Sequence, residues 1–142
     1  MEILSYEIEI NAEPEKVWSV LWGDITYKQW TSAFAKGSFY QGTLEEGSIV
    51  KFFDPNNNGM YSRVEVNIPN QEMKFLHLGE IYAGIEVPQD WGNPTETFIL
   101  EENEEGTLLK GEIQTREEFK AFFEEKFPKA LEIIKHLSEN QL

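Results

Sequence analysis

The most constraining feature of the chain is an alternating strand that runs directly into a helix started by proline. Four apolar residues of one parity, with polar residues between them, predict a half-buried strand: Leu4, Tyr6, Ile8 and Ile10. Pro14 fits the first position of a following helix, because it lacks the N–H that this position leaves unpaired and its φ already suits a helix. A second short helix is predicted from Asp24 to about Trp30.

Six further segments, separated by short turn signals, predict an antiparallel sheet. The gaps between them contain Gly, Asn or Pro and are short enough for hairpins. In one segment Val64 and Val66 share the inner parity, so Tyr61 and Arg63 are expected on the outer face. The predicted strands are Ser38–Gln41, Gly47–Phe53, Tyr61–Ile68, Met73–Tyr82, Thr95–Glu101 and Thr107–Thr115.

The last segment, from Arg116 to Leu142, predicts a long amphipathic helix. Its apolar residues follow one helical stripe: Phe119, Phe122, Phe123, Phe127, Ala130, Leu131, Ile133, Ile134 and Leu137. Pro128 lies on the opposite side, which leaves two alternatives: one helix that bends away from Pro128, or two helices of which the second starts there. With the strands, this segment predicts an α+β fold in which a helix lies across a curved sheet.

Composition and charge disfavour several classes of function. The length of 142 residues suits a single domain over 1–142, and 40% hydrophobic residues can form a core. With 26 acidic and 12 basic residues the formal charge is -14, which disfavours nucleic acids and anionic membranes as partners. Neither membrane insertion nor a secretion signal is predicted, so we expect a cytosolic protein. The lack of cysteine excludes disulfides, thiol nucleophiles and cysteine-ligated zinc.

Several packing motifs are spread from one end of the chain to the other. They are Ile10-x-Ala12 leading to Val17-Trp18, Trp30 after the second helix, Gly47 opening a strand, Val64-x-Val66-x-Ile68-Pro69, and Phe127, Leu131, Ile134 and Lys135 in the last helix. In these motifs the chain resembles the START/Bet v 1-like (SRPBCC) superfamily, and within it the bacterial homologues of the activator of Hsp90 ATPase. It departs from the common pattern at Phe127, where tryptophan is usual. None of the motifs is catalytic.

The resemblance implies a helix-grip fold with a hydrophobic cavity between the sheet and the long helix. Across the superfamily such cavities bind lipids, sterols, polyketides and other apolar ligands, and some support cyclase or hydrolase chemistry. The candidate ligand-binding residues are Trp30, Phe34, Val64, Val66, Trp91, Phe119, Phe122, Phe123 and Phe127. The alternative is that these side chains simply fill the core. Trp91 lies in a loop bounded by Pro and Gly, where it is a cavity lid, a core cap or an anchor for a partner.

His77 is the candidate residue for chemistry. It shares the parity of Met73 and Phe75, and an imidazole can titrate near neutral pH. Catalysis requires His77 to face the interior with a perturbed pKa, whereas inward-facing Leu76 and Leu78 would exclude it. Because the sequence shows no partner that would orient the ring, the alternative is an ordinary core or sheet-face histidine, and we assign no reaction and no cofactor.

The segment from Asp54 to Glu65 matches the written pattern of an EF-hand calcium loop. An EF-hand needs flanking helices, whereas this segment is flanked by predicted strands, and Pro55 restricts the backbone of Asp54. We therefore interpret it as a hairpin with Asn58-Gly59 at its corner. No metal site is predicted, since the two histidines lie in different elements.

The predicted function is non-covalent binding of a small hydrophobic or amphipathic ligand, with no assigned reaction. The first alternative is a co-chaperone-like module whose acidic surface docks a basic protein partner, which predicts a packed interior. The second alternative is a cavity enzyme of cyclase or hydrolase type.

Overall fold

An antiparallel sheet that curves around a long C-terminal helix forms the fold, over residues 1–92 and 94–140, the part of the chain that the computed structural model describes. The α+β helix-grip fold predicted from the sequence is confirmed. A 3₁₀ turn over Glu117–Phe119 leads into the last helix. The elements in chain order are β1 (Glu2–Ile10), α1 (Pro14–Trp22), α2 (Asp24–Thr31), β2 (Phe39–Gln41), β3 (Ile49–Phe53), β4 (Gly59–Ile68), β5 (Glu72–Tyr82), β6 (Ile85–Pro88), β7 (Thr95–Asn103), β8 (Gly106–Thr115) and α3 (Lys120–Asn140).

The order of strands in the sheet is β1-β8-β7-β5-β4-β3-β2, and β6 pairs with β5. One edge of β5 pairs with β4, while its other edge is divided between β7, along Glu72–Leu76, and β6, along Gly79–Tyr82. His77 lies at this division, where its backbone N–H donates to the carbonyl of Pro94 at 3.0 Å. The loop that carries Trp91 therefore leaves the sheet beside His77.

Strand β6 is an element that the sequence pattern did not predict. It forms a hairpin with β5 through Ala83 and Gly84, which both take positive φ, at 50° and 82°. All four residues of β6 are exposed, so this strand lacks the alternation of buried and polar residues from which strands are predicted.

Helix α3 runs through Pro128 without a break, so the alternative of one helix is correct. Pro128 lies on its exposed side, as the stripe predicted. The buried positions of α3 are concentrated after this point, at Ala130, Leu131, Ile134 and Ser138, with Phe127 directly before it. The end of the predicted helix, Gln141 and Leu142, lies outside the described residues. None of the helices in the described ranges is long and apolar enough to cross a bilayer.

The segment with the EF-hand pattern is a β-hairpin, as predicted. A carboxylate oxygen of Asp54 accepts hydrogen bonds from the backbone N–H groups of Asn56, at 2.8 Å, and Asn58, at 3.1 Å. The corner residue with positive φ is Asn57, at 62°, rather than the predicted Asn58-Gly59 pair. Gly59 instead starts β4, where a Cβ atom would lie 1.8 Å from the carbonyl oxygen of Phe52, so glycine is required by the close approach of the two backbones.

Helix α3 docks on the sheet through Phe127, whose ring lies over Gly111 of β8. In the sheet Gly111 is flanked by Tyr6 of β1 and Phe98 of β7. The ring of Phe127 lies at 4.8 Å from that of Tyr6 and 6.2 Å from that of Phe98, nearly parallel to both. A Cβ atom at position 111 would come within 2.8 Å of the Phe127 ring. Because glycine leaves this gap, a buried aromatic ring of the helix can reach the sheet.

The substitution Gly111→Ala should destabilise the protein by about 1–2 kcal/mol, because the added methyl group overpacks against Phe127. Urea unfolding of the variant and the parent protein measures this loss. In a Phe127→Leu background the same substitution should cost less, since the ring it meets is gone. An equal loss in both backgrounds would contradict the role assigned to the pair.

Candidate functional site: a cavity between the sheet and helix α3

A cavity of about 550 Å³ lies between the inner face of the sheet and helices α2 and α3. Its wall is mainly aromatic and aliphatic. The helices and the adjoining turn contribute Trp22, Tyr27, Trp30, Phe34, Phe119, Phe122, Phe123 and Phe127, and the sheet contributes Phe52, Phe75, Phe98 and Ile113, among others. Side chains on the wall that are also exposed, including Tyr82 at 56% and Met1 at 60%, show that the cavity is open to solvent.

Seven of the nine candidate residues from the sequence lie on this wall. They are Trp30, Phe34, Trp91, Phe119, Phe122, Phe123 and Phe127. The other two, Val64 and Val66, are not part of it: Val64 is a core residue that is 1% exposed, and Val66 is half-buried. A register shift between Val64 and Val66 interrupts the alternation on which their shared inner face was predicted.

The aromatic residues on the wall differ in how deeply they are buried. Trp30 and Phe127 are nearly fully buried and belong to the hydrophobic core. These two residues therefore fill the core, as the alternative interpretation proposed, and also form the deepest part of the cavity wall. Phe34 connects them to the cavity opening, with its ring 5.9 Å from Phe127 and 6.3 Å from Phe122. Phe119 and Phe122 are 47% and 42% exposed. The end of α3 nearest Phe122 therefore forms an apolar wall that the protein itself does not cover.

His77 faces the cavity, as the catalytic alternative required. Its neighbours Leu76 and Leu78 are half-buried and lie off the cavity wall. Nδ1 of His77 is 2.7 Å from the hydroxyl of Ser62, which lies opposite it on the neighbouring, paired strand β4. Burial lowers the pKa of His77 to about 4, so the ring is neutral at pH 7. Among the described residues Nε2 has no hydrogen-bond partner.

Glu96 is a residue of the site that the sequence reasoning missed. It lies on the inner face of β7, directly between Phe75 of β5 and Ile113 of β8. Burial raises the pKa of this carboxyl to about 7. Its side chain makes no hydrogen bond and no ion pair with any described residue, and it lines the cavity. The signal was present in the sequence, because Glu96 shares the parity of Phe98 and Leu100 on a strand whose inner face is otherwise apolar.

Tyr27 is a second polar group on the wall. Burial raises the pKa of its hydroxyl, and the negative charge of Glu96 adds to this rise. Since the effect of one charge on another falls off with distance, the interaction places Tyr27 and Glu96 in the same part of the cavity. Glu96 is also a diagonal neighbour of His77 across the sheet, which puts their Cα atoms roughly 7–8 Å apart.

Arg116 is the one cationic side chain among the described residues of the wall. Its guanidinium lies 3.2 Å from the carboxylate of Glu118, at an exposed position. The acidic side chains on the wall are Asp54, Glu80 and Glu96. Within the described residues no group of three or more His, Asp or Glu side chains is arranged to hold a metal ion.

The arrangement suits an apolar molecule with a polar group. The wall offers a large apolar surface, a neutral imidazole and a carboxyl that can change protonation near pH 7. The Ser62–His77 contact does not form a usable nucleophile–base pair, because Ser62 is fully buried and lies off the cavity wall.

Comparison with solved structures supports the fold. The chain is similar to the solution structure of the Aha1 dimer from Colwellia psychrerythraea, with a TM-score of 0.76 and 26% identity over 99% of this chain and 98% of that one. It is also similar to protein MLL2253 from Mesorhizobium loti, with a TM-score of 0.75 and 17% identity over 96% of both chains, and to protein CV1439 from Chromobacterium violaceum, with a TM-score of 0.74 and 12% identity over 99% and 100%. No family model matches the sequence, and no curated protein matches it. The fold thus fits the START/Bet v 1-like superfamily.

Replacement of Glu96 by Gln should stabilise the protein most at alkaline pH. Between the ordinary glutamate pKa of 4.5 and the folded pKa of about 7, the unfolded chain loses a proton that the folded protein keeps, so the free energy of unfolding falls as pH rises. Glu96→Gln removes this loss. Its advantage over the parent should be small near pH 4 and on the order of 3 kcal/mol near pH 8. Urea unfolding at both values measures it, and an advantage independent of pH would contradict the buried carboxyl.

His77 should contribute the opposite slope. Between its folded pKa of about 4 and the ordinary value of 6.5, the unfolded chain takes up a proton that the folded protein excludes, so stability rises with pH in this window. His77→Gln should therefore gain stability relative to the parent on going from pH 7.5 to pH 4.5. Urea unfolding of the variant and the parent at each pH gives their difference in stability, and the change in that difference between pH 7.5 and pH 4.5 is the check. Loss of the Ser62 contact does not affect this change, because it lowers the stability of the variant by the same amount at both pH values.

Proposed function

We propose that the protein binds a small hydrophobic or amphipathic ligand, without covalent chemistry, in the cavity between the sheet and α3. The observation that carries the proposal is an open, mainly apolar cavity of about 550 Å³ with a few unpaired polar groups on its wall. Small-molecule sites in proteins usually have volumes of roughly 300–1,000 Å³ and this distribution of groups.

The aromatic residues around the opening are proposed to hold the apolar part of the ligand. Phe34, Phe119, Phe122 and Phe123 would enclose it from the helical side, and Trp91 would cover it as a lid. Each buried methylene contributes about 0.8 kcal/mol, so a chain of roughly ten carbons gains about 8 kcal/mol before the cost of association. Because association itself costs free energy, apolar burial alone falls short of micromolar affinity, which corresponds to about 8 kcal/mol. The polar groups must therefore contribute as well.

A co-chaperone-like interaction module, related to activators of Hsp90 ATPase, is the second candidate. It is supported by the likeness to the Aha1 dimer structure and by the formal charge of -14, which suits a basic partner. It predicted a packed interior, and the open cavity favours ligand binding over it. Binding to the partner would weaken with added salt, whereas apolar ligand binding would not.

Catalysis in the cavity is supported by one observation, the inward-facing His77 with its lowered pKa. A neutral imidazole and a carboxyl of raised pKa can act as base and acid. Ser62, the hydroxyl that contacts His77, is fully buried and lies off the cavity wall, so it does not serve as a nucleophile there. We therefore assign no reaction.

Native mass spectrometry of the purified protein and displacement of the neutral dye Nile red test the proposal. We expect a co-purifying small molecule or dye binding in the micromolar range. Phe123→Trp should weaken dye binding about fivefold or more, because the larger ring narrows the cavity next to Phe34.

The matched control is Phe39→Trp, which makes the same change on β2, where Phe39 itself lies off the cavity wall and contacts it only from behind, by stacking on Phe53. It should leave dye binding unchanged. A protein that is empty and ignores the dye would reject the proposal and direct the search to protein partners.

A further inference from the structure

The polar end of the cavity is defined by Glu96, a half-buried residue whose carboxyl has no partner among the described residues. On the inner face of the sheet its immediate neighbours are Phe75, Ile113 and Phe98, all apolar. Buried carboxylates in proteins are normally matched by a cation or by several hydrogen-bond donors. Among the described residues Glu96 has neither, although it borders a cavity large enough for a ligand. The missing partner is therefore expected to come from the ligand.

The charges around the cavity decide which kind of partner fits. Of the ionisable groups on the described wall, Asp54, Glu80 and Glu96 are acidic, while the cations are Arg116, which is engaged with Glu118, and the amino group of Met1, a residue that is 60% exposed. His77 is neutral because burial keeps its pKa low. The chain as a whole, including these residues, carries a formal charge of -14. Such a field repels an anionic head group and attracts a cationic one.

The polar groups near Glu96 complete a small recognition site. The hydroxyl of Tyr27 lies close enough for the Glu96 charge to affect it, and His77 is the diagonal neighbour across the sheet. An ammonium group presents up to three donors and no acceptor. It could donate to the carboxylate of Glu96 and to the hydroxyl oxygen of Tyr27, while its apolar substituent fills the aromatic part of the cavity.

We propose that the preferred ligand class is an amphipathic amine, an apolar molecule whose protonated amino group pairs with the carboxylate of Glu96 beside Tyr27. This inference rests on the proposed function, since it names the chemistry of the ligand for the same cavity. Glu96 selects against fatty acids and other apolar carboxylates, which would place two negative charges together in an apolar site.

Three probes of the same length test the selectivity: decylamine, decanol and decanoate, each used below its micelle concentration at neutral pH. Binding is followed by calorimetry and by tryptophan fluorescence, because Trp22, Trp30 and Trp91 line the cavity. Decylamine should bind roughly tenfold more tightly than decanol, as expected for a charge-assisted hydrogen bond, and decanoate should bind most weakly.

Two variants separate the local carboxylate from the charge of the whole protein. Glu96→Gln should remove the preference, bringing decylamine and decanol within about twofold. Glu102→Gln removes the same charge from the same strand at an exposed position, and it should keep the preference. The comparison of the three probes in the unaltered protein needs no variant, so it can overturn the inference even if a substitution impairs folding.

The outcomes distinguish this inference from the proposed function. If decanol binds as tightly as decylamine, or decanoate binds better, the amine inference is wrong while ligand binding in the cavity stands. If the preference persists in Glu96→Gln, the site does not depend on Glu96 and the inference is wrong. If none of the three probes binds, ligand binding itself is rejected, and the amine inference with it.

Discussion

The arrangement of this protein depends on one contact, the ring of Phe127 inserted over Gly111. The glycine opens a gap on β8, next to the edge strand β1, and Tyr6 and Phe98 form its two sides. Offset aromatic contacts of this kind add to the free energy of apolar burial. They also fix position, since a larger side chain at 111 or a smaller one at 127 would change the distance between helix and sheet. The distance between helix and sheet is thus fixed by a pair of residues on two consecutive elements, β8 and α3.

The cavity is a consequence of where this contact lies along α3. From Phe127 onward the helix buries Ala130, Leu131 and Ile134 against the core, and no comparable series precedes it. Before Phe127 the apolar side chains continue on the same stripe, but Phe122 and Phe119 remain partly exposed. The stripe is therefore longer than the core that it covers. The excess apolar surface lines the open part of the cavity, and this surplus is the physical basis for proposing a ligand.

Two half-buried titratable groups, Glu96 and His77, share that cavity and respond to pH in opposite directions. Burial favours the neutral form of each, so the pKa of Glu96 rises to about 7 and that of His77 falls to about 4. Where their ranges overlap, the effects on stability oppose each other. The protein can thus keep two polar groups in an apolar cavity with a smaller net dependence of stability on pH than either would cause alone. Glu96 and His77 both line the cavity and remain available to a ligand.

The sequence by itself determined most of the elements and the apolar stripe of α3. Alternation and turn signals predicted the strands other than β6, Pro14 predicted the start of α1, and the helical stripe predicted α3, because these signals depend on neighbours along the chain. Helical periodicity and the family resemblance also predicted part of the aromatic wall, including Phe34 and Phe119 to Phe127, but not Trp22, Phe75 or Phe98. Strand β6 and the register shift that separates Val64 from Val66 could not be predicted, because both depend on pairing with another strand. Only the tertiary structure placed Glu96 between Phe75 and Ile113 and brought Ser62 to His77. Burial in the folded protein decides the charge of Glu96 and His77, and its extent depends on residues from several strands and helices.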